Sequence, residues 1–202
     1  MLIKYPRTYH LPGSEGKTSD EKVLKSDECF WGREVVITEK MDGENTSIYR
    51  DHYHARSLDS RSHPSQDWLK NFCKRFDYLL EDGERICGEN MYAVHSISYP
   101  RLASFFLGFS IWDKEYCLDW DTTTTRFKEL GIESVPVLFR GTYKGQTIDF
   151  DPVTQEGYVI RLAGGFHLSE FKNSVAKHVR KDHVRSSKHW STEKMVVNKV
   201  MT

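Results

Sequence analysis

The nine residues SFFLGFSIW, positions 104–112, contain no charge, and a strand built from them has to be covered on both faces. That requires a sheet with material packed against each side. Further strand signals lie at 34–38, 46–49, 53–57, 85–89, 134–139 and 157–162, the second and third joined by a short polar turn that reads as a hairpin. Helical spacing marks 65–80, with Ser65 as N-cap and Gly83 as stop, then 122–130 closed by Gly131, and 169–181. A last, basic helix is expected at 187–200. The first thirty residues are polar and rich in turn signals and are expected to wrap the core. Hairpins and single strands with helices between them do not form a regular β-α-β alternation, so the expected class is α+β with mainly antiparallel sheets.

The chain has 202 residues with 38% hydrophobic content, enough for a sizeable core. Its 29 basic and 29 acidic residues balance, but not evenly along the chain. From 169 to 202 there are eight Lys/Arg against three Asp/Glu, a local +5 that leaves −5 for the rest. A basic end suits a polyanion and equally suits a solvated helix face. Among its residues, His178, His183 and His189 lie near Trp190, a pattern that serves either single-stranded nucleic acid or the packing of a docked helix. Cys29, Cys73, Cys87 and Cys117 form no C-x-x-C pair and are expected to be free thiols in a reducing cytoplasm. No apolar run reaches the roughly 18 residues of a membrane span. Neither a G-x-G-x-x-G nor a G-x-x-x-x-G-K-[ST] motif is present, so neither dinucleotide fingerprint nor P-loop marks a nucleotide site.

Chemistry points instead to TEKMDGEN, residues 38–45. Lys40 stands between the apolar run VVIT and an Asp-Gly turn, rigidly placed at a strand end. To act as a nucleophile its amine must lose a proton, so its pKa must fall from about 10.4. K-x-D-G alone also suits a lysine capping an exposed hairpin. His52 and His54, two apart, share one face of a strand, but no third ligand accompanies them at metal-binding spacing.

The segment E-K-x-D-G-x-N, Glu39 to Asn45, resembles the nucleophile motif of the RNA ligases, a branch of the covalent nucleotidyltransferases that includes DNA ligases and mRNA capping enzymes. Other elements of that superfamily follow in order. They are Arg56 in HARS, Glu89 in ICGEN, Phe109 in FLGFSIWD, Glu156 in EGYVIR and Lys172 in EFKNS. The resemblance implies the nucleotidyltransferase (ATP-grasp-like adenylation) fold, with ATP bound between antiparallel sheets flanked by helices. It implies that Lys40 takes AMP covalently and that Mg²⁺ or Mn²⁺ is held by Glu156, and by Asp42 and Asn45 through water. Lys172 would charge-balance the α-phosphate. Glu89 would accept from the ribose, Phe109 would stack on the purine and Glu39 would read the adenine edge. Arg56, Lys177 and Arg180 would meet RNA, Arg56 also serving a phosphate of the nucleotide.

The sequence departs from the family at one place. Glu170 stands where the first lysine of the motif around Lys172 would fall, which leaves Lys177 as a second register and Arg161 as a further source of charge. The expected organisation is an adenylation domain over 1–185 and a basic helical tail over 186–202, with no OB-fold. The expected protein is a cytoplasmic, monomeric ATP-dependent RNA ligase, joining 3′-hydroxyl and 5′-phosphate ends with or without a separate strand-binding partner. A guanylyltransferase-like or DNA-ligase-like enzyme, or an inactive nucleic-acid module of the same fold, are its rivals.

Overall fold

The computed structural model of the chain describes residues 2–16, 21–58, 64–181 and 195–201. Two sheets face each other. One has five strands: β2 (Glu34–Glu39) pairs with β9 (Val137–Thr142) and β10 (Gly157–Leu162), and β12 (Val175–Val179) and β1 (Tyr9–His10) extend the sheet beyond β10. The other has seven, in the order β11 (Phe166–His167), β7 (Tyr116–Cys117), β6 (Phe106–Asp113), β5 (Glu84–Asn90), β3 (Glu44–Tyr49), β4 (His52–Ala55), with β8 (Glu133–Ser134) on β6. Most pairs are antiparallel, while β1–β12 and β6–β8 are parallel. With two sheets and few helices the fold is α+β.

Strand periodicity places the cores. On β5, Cys87 points between the sheets to join Ile37, Ile160 and Trp112, while Ile86 points the other way. There it meets Phe72 of α1 (Ser65–Cys73) and Phe127 of α2 (Trp120–Leu130), which cover the outer face of the larger sheet. Val36 lies in a third cluster with Met41, Tyr99 and Trp120, so β2 is covered on both faces. Each wholly buried aliphatic or aromatic side chain in these clusters is worth about 1.5–3 kcal/mol. The cysteines are free, Cys73, Cys87 and Cys117 among them buried.

Helix α2 starts at Trp120, two residues before the expected Thr122, with the Asp119 carboxylate capping it by accepting from Thr122 N, and it ends as expected at Gly131, in the left-handed region. Three expectations are corrected. Helix α1 stops at Cys73 and is followed by a single 3₁₀ turn, because Tyr78 and Leu79 are exposed and the apolar run gives no continuous buried face. Ser65 is its first residue, and Pro64 occupies the N-cap. The expected strand over 134–139 is two strands, β8 and β9, broken before Val137 by Pro136.

The third correction matters most for the site. Instead of a helix over 169–181 there is one turn, α3 (Phe171–Ser174), and then β12. Val175, Ala176 and Val179 are buried along β12, and its backbone bonds are taken by β10 and β1, a tertiary demand that overrides local helical spacing. Most of the expected terminal helix lies outside the described residues. The part that is described, 195–201, is extended, bridging Ala93 to Val197 and Leu102 to Val200.

Where β10 begins, Gly157 has φ +147° and a Cβ there would sit 2.0 Å from the His178 carbonyl oxygen. Gly157→Ala is therefore expected to cost on the order of 2–3 kcal/mol in urea unfolding, through displacement of β12.

Candidate active site

The two sheets enclose a cavity of about 500 Å³, a size that suits a nucleotide-scale ligand. Lys40 lines it from the end of β2. Its backbone N–H donates to the Gly157 carbonyl at 2.9 Å, and its ammonium donates to Glu156 Oε2 at 2.5 Å. Glu156 is itself fixed, since its carbonyl accepts from Arg180 N at 3.0 Å at the end of β12. Three strands thus converge on one ion pair. Burial alone would lower the pKa of the Lys40 amine, but the negative charges of Glu156, Glu89 and Asp42 overcome this and hold it above its ordinary value. The resting amine is protonated.

Three further residues stand abreast on adjoining strands of the larger sheet. Asn45 on β3 is the cross-strand partner of Glu89 on β5, and Arg56, just past β4, donates its backbone N–H to the Asn45 carbonyl at 2.8 Å. All three line the cavity. Asn45 Oδ1 is buried with no hydrogen-bond partner, an acceptor turned to an empty space. Arg56 Nε reaches the Tyr5 carbonyl at 3.4 Å. Burial, joined by the charges of Glu156 and Asp42, pushes the Glu89 carboxyl up to about 8 despite the attraction of Lys40.

Phe109 reaches the cavity through a break in register. On β6, Ser110 pairs with Cys87 and Gly108 with Gly88, which leaves Phe109 as the extra residue of a β-bulge. In regular alternation Phe109 would follow Ile111 to the helix side. The bulge turns it to the same side as Ser110, and both line the cavity. Its ring meets Tyr5 edge-on at 5.3 Å, while Val159 lines the cavity from β10 in the other sheet. Glu39 also lines it, held by Gln155 Nε2 at 2.9 Å, and burial raises its pKa against that hydrogen bond.

Several predicted site residues do other work. Asp42 does not line the cavity. Its Oδ2 accepts from Ser96 N at 2.7 Å, Ser96 Oγ at 2.6 Å and Ile97 N at 2.9 Å, which leaves only Oδ1 for a metal-bound water. Its own N–H donates to the Tyr99 hydroxyl at 3.1 Å. The same loop is stitched to the 195–201 segment: Tyr99 N donates to Asn198 Oδ1 at 2.7 Å, and Asn198 Nδ2 donates to the Met91 carbonyl at 2.8 Å.

Lys172 is exposed on α3, outside the cavity, with its ammonium 5.3 Å from the Tyr9 ring centre. Lys177, the alternative register, lines the cavity from β12. Arg180, expected at RNA, is buried and donates to the Pro152 carbonyl at 2.7 Å. Arg161 also lines the cavity, buried and with its guanidinium bonded to the carbonyls of Leu118, Leu162 and Phe109, so it supports the strand carrying Phe109 as well. His183, His189 and Trp190 lie outside the described residues. Among the described residues, no group of three or more His, Cys, Asp or Glu could hold a metal ion, His52 and His54 included. Sequence reasoning missed the N-terminal segment, which brings Arg7, Glu21 and Lys22 to the cavity wall. Its only signal was polarity.

Residues 33–179 match the family model described as RNA ligase. The chain belongs to the RNA ligase family. A search of curated proteins by sequence gave no match. Among solved structures, Naegleria gruberi RNA ligase with PPi is 18% identical with a TM-score of 0.56, the match covering 89% of this chain and 61% of that one. A mutant of that ligase with ATP and Mn is 16% identical, with a TM-score of 0.53, 89% of this chain and 61% of that one. An archaeal ATP-dependent RNA ligase is 12% identical, with a TM-score of 0.55, 89% of this chain and 48% of that one. The chain thus shares the fold of these proteins and spans about three fifths or less of their length.

The raised carboxyl gives the protein a pH signature. Unfolded, Glu89 releases its proton near 4.5; folded, near 8. Between those values the native state binds the extra proton, so stability falls as pH rises. Glu89→Gln is expected to exceed wild type by on the order of 1–3 kcal/mol at pH 8 and to match it near pH 5, read from urea melts at both values.

Proposed function

We propose that this protein is an ATP-dependent RNA ligase working through a lysyl-AMP intermediate on Lys40. The observation that carries the reading is the Lys40–Glu156 pair, whose lysine lines a nucleotide-sized cavity, in a chain of the RNA ligase family. Phe109 and Val159, from opposite sheets, suit the two faces of a purine, and Glu39 suits its edge. Arg56, Asn45 and Glu89 provide charge and hydrogen bonds for ribose and phosphate. Lys177, rather than Lys172, supplies the second cation for the α-phosphate.

A Mg²⁺ or Mn²⁺ fits this oxygen donor set. The buried, unpartnered Asn45 Oδ1 and the Glu156 carboxylate are hard ligands that would hold it directly or through water, with ATP phosphates completing the shell. Bound there, the ion would supply positive charge that neutralises the phosphates. Burial favours the neutral form of Lys40, and Glu156 Oε2, already bonded to the ammonium, is placed to accept its proton. The neutral amine then attacks the α-phosphorus in line. A nitrogen–phosphorus bond forms as the bond to pyrophosphate breaks, and the remaining excess proton on the nitrogen passes to water. Two steps follow in this reading: AMP passes to a 5′-phosphate end, and a 3′-hydroxyl displaces AMP to seal the strand.

Incubation with ATP and Mg²⁺ or Mn²⁺, followed by intact-mass measurement, is expected to show one added AMP, absent with GTP and absent in Lys40→Ala. A well-folded protein that gains no adduct with any nucleotide or metal would overturn the reading. Glu156→Ala is expected to fold yet lose adenylylation by about 100-fold or more. Lys177→Ala should lose a similar amount, while Lys172→Ala stays within about 3-fold of wild type. The reverse order would restore Lys172 to the site.

A further inference from the structure

Lys177 is held from outside the family match. β1 runs parallel to β12 with His10 opposite Lys177, and Leu11 N donates to the Lys177 carbonyl at 2.7 Å. His10 N donates to the Lys22 carbonyl and its own carbonyl accepts from Leu24 N, both at 2.8 Å, so the stretch entering at Glu21 is fastened to the same strand. Glu21 Oε1 then lies 2.5 Å from the Lys177 ammonium. His10 is wholly buried, with Nε2 3.1 Å from that same oxygen and Nδ1 2.7 Å from Ser14 Oγ, which in turn accepts from Val179 N at 3.0 Å. Ser14, His10, Glu21 and Lys177 thus form one chain of contacts that begins and ends on β12.

A lysine has a long, flexible stem, and about 2 kcal/mol of rotamer entropy is lost when it is fixed. Fixing it before the nucleotide arrives removes that cost from the reaction itself. One contact to Glu21 still leaves two N–H groups for an anionic oxygen. A carboxylate beside the ammonium also weakens its general pull on phosphate, so this arrangement favours placement over affinity.

We infer that Glu21, braced by His10, is a positioning residue that holds Lys177 for the α-phosphate of the nucleotide. The inference rests on the ligase reading above. Its signature is a loss of rate without a loss of ATP binding. Glu21→Ala is expected to slow single-turnover AMP transfer about 10-fold at saturating ATP, with no rise in the half-saturating ATP concentration. Glu21→Gln keeps an acceptor at the same reach and should stay within about 3-fold of wild type. Glu21→Asp keeps the charge but withdraws the oxygen, and should resemble the alanine variant.

The decisive arm is Glu21→Ala in a Lys177→Met background. A residue acting only through Lys177 adds less than about 2-fold there, whereas a general structural role multiplies with the first loss. Multiplying losses, or wild-type rates in both Glu21→Ala and Glu21→Asp, would overturn the inference and leave the ligase reading intact. Absence of an adduct on the wild-type protein would instead overturn the ligase reading itself. Near-UV circular dichroism identifies any variant that fails to fold, and the Gln and Asp pair decides the matter if the alanine variant does.

Discussion

An ammonium and a carboxylate 2.5 Å apart, both largely removed from water, set the terms for the rest of this molecule. Two charges buried together repay their lost hydration only when their geometry is closely held. Here the holding is done by backbone: β2 ends on the Gly157 carbonyl, and β12 ends on the Glu156 carbonyl. The five-stranded sheet acts as a vice for Lys40 and Glu156, while the seven-stranded sheet supplies most of the other groups around them. The same pairing keeps the Lys40 amine protonated in the resting site.

Much of this was legible in the sequence where the local pattern and the tertiary demand agree. The β2 run VVIT leads straight to Lys40, and Gly131 closes α2 by capping chemistry alone. The ordered motifs brought Glu39, Asn45, Arg56, Glu89 and Phe109 to one cavity. The reading failed where pairing partners decide conformation. Residues 175–179 carry helical spacing, but their backbone completes a sheet, and that single switch brings Lys177 rather than Lys172 to the cavity. An extra residue in one strand has no signature in composition either, so the bulge that frees Phe109 from the helix-facing core could not be read in advance.

Charge was the least readable property. Arg180 reads as a polyanion contact in a basic stretch and Arg161 as a source of charge for the site, yet both are buried with their guanidinium groups bonded to backbone carbonyls. They brace the strands that present Phe109 and Glu156. A side chain with five donors is well suited to satisfying carbonyls left over at irregular strand ends, and sequence alone does not separate that use from phosphate binding.

The loop that grips Asp42 is itself gripped by Asn198. This ties the turn beside Lys40 to a residue 156 positions further along the chain, counted from 42 to 198, through two shorter links, from 42 to 96 and 97 and from 198 back to 91 and 99. Each link costs loop-closure entropy that grows only slowly with separation. On a ribosome, where the chain emerges from its N-terminal end, the motif containing Lys40 is exposed long before Asn198 exists. The turn therefore acquires this anchor only once synthesis has passed Asn198.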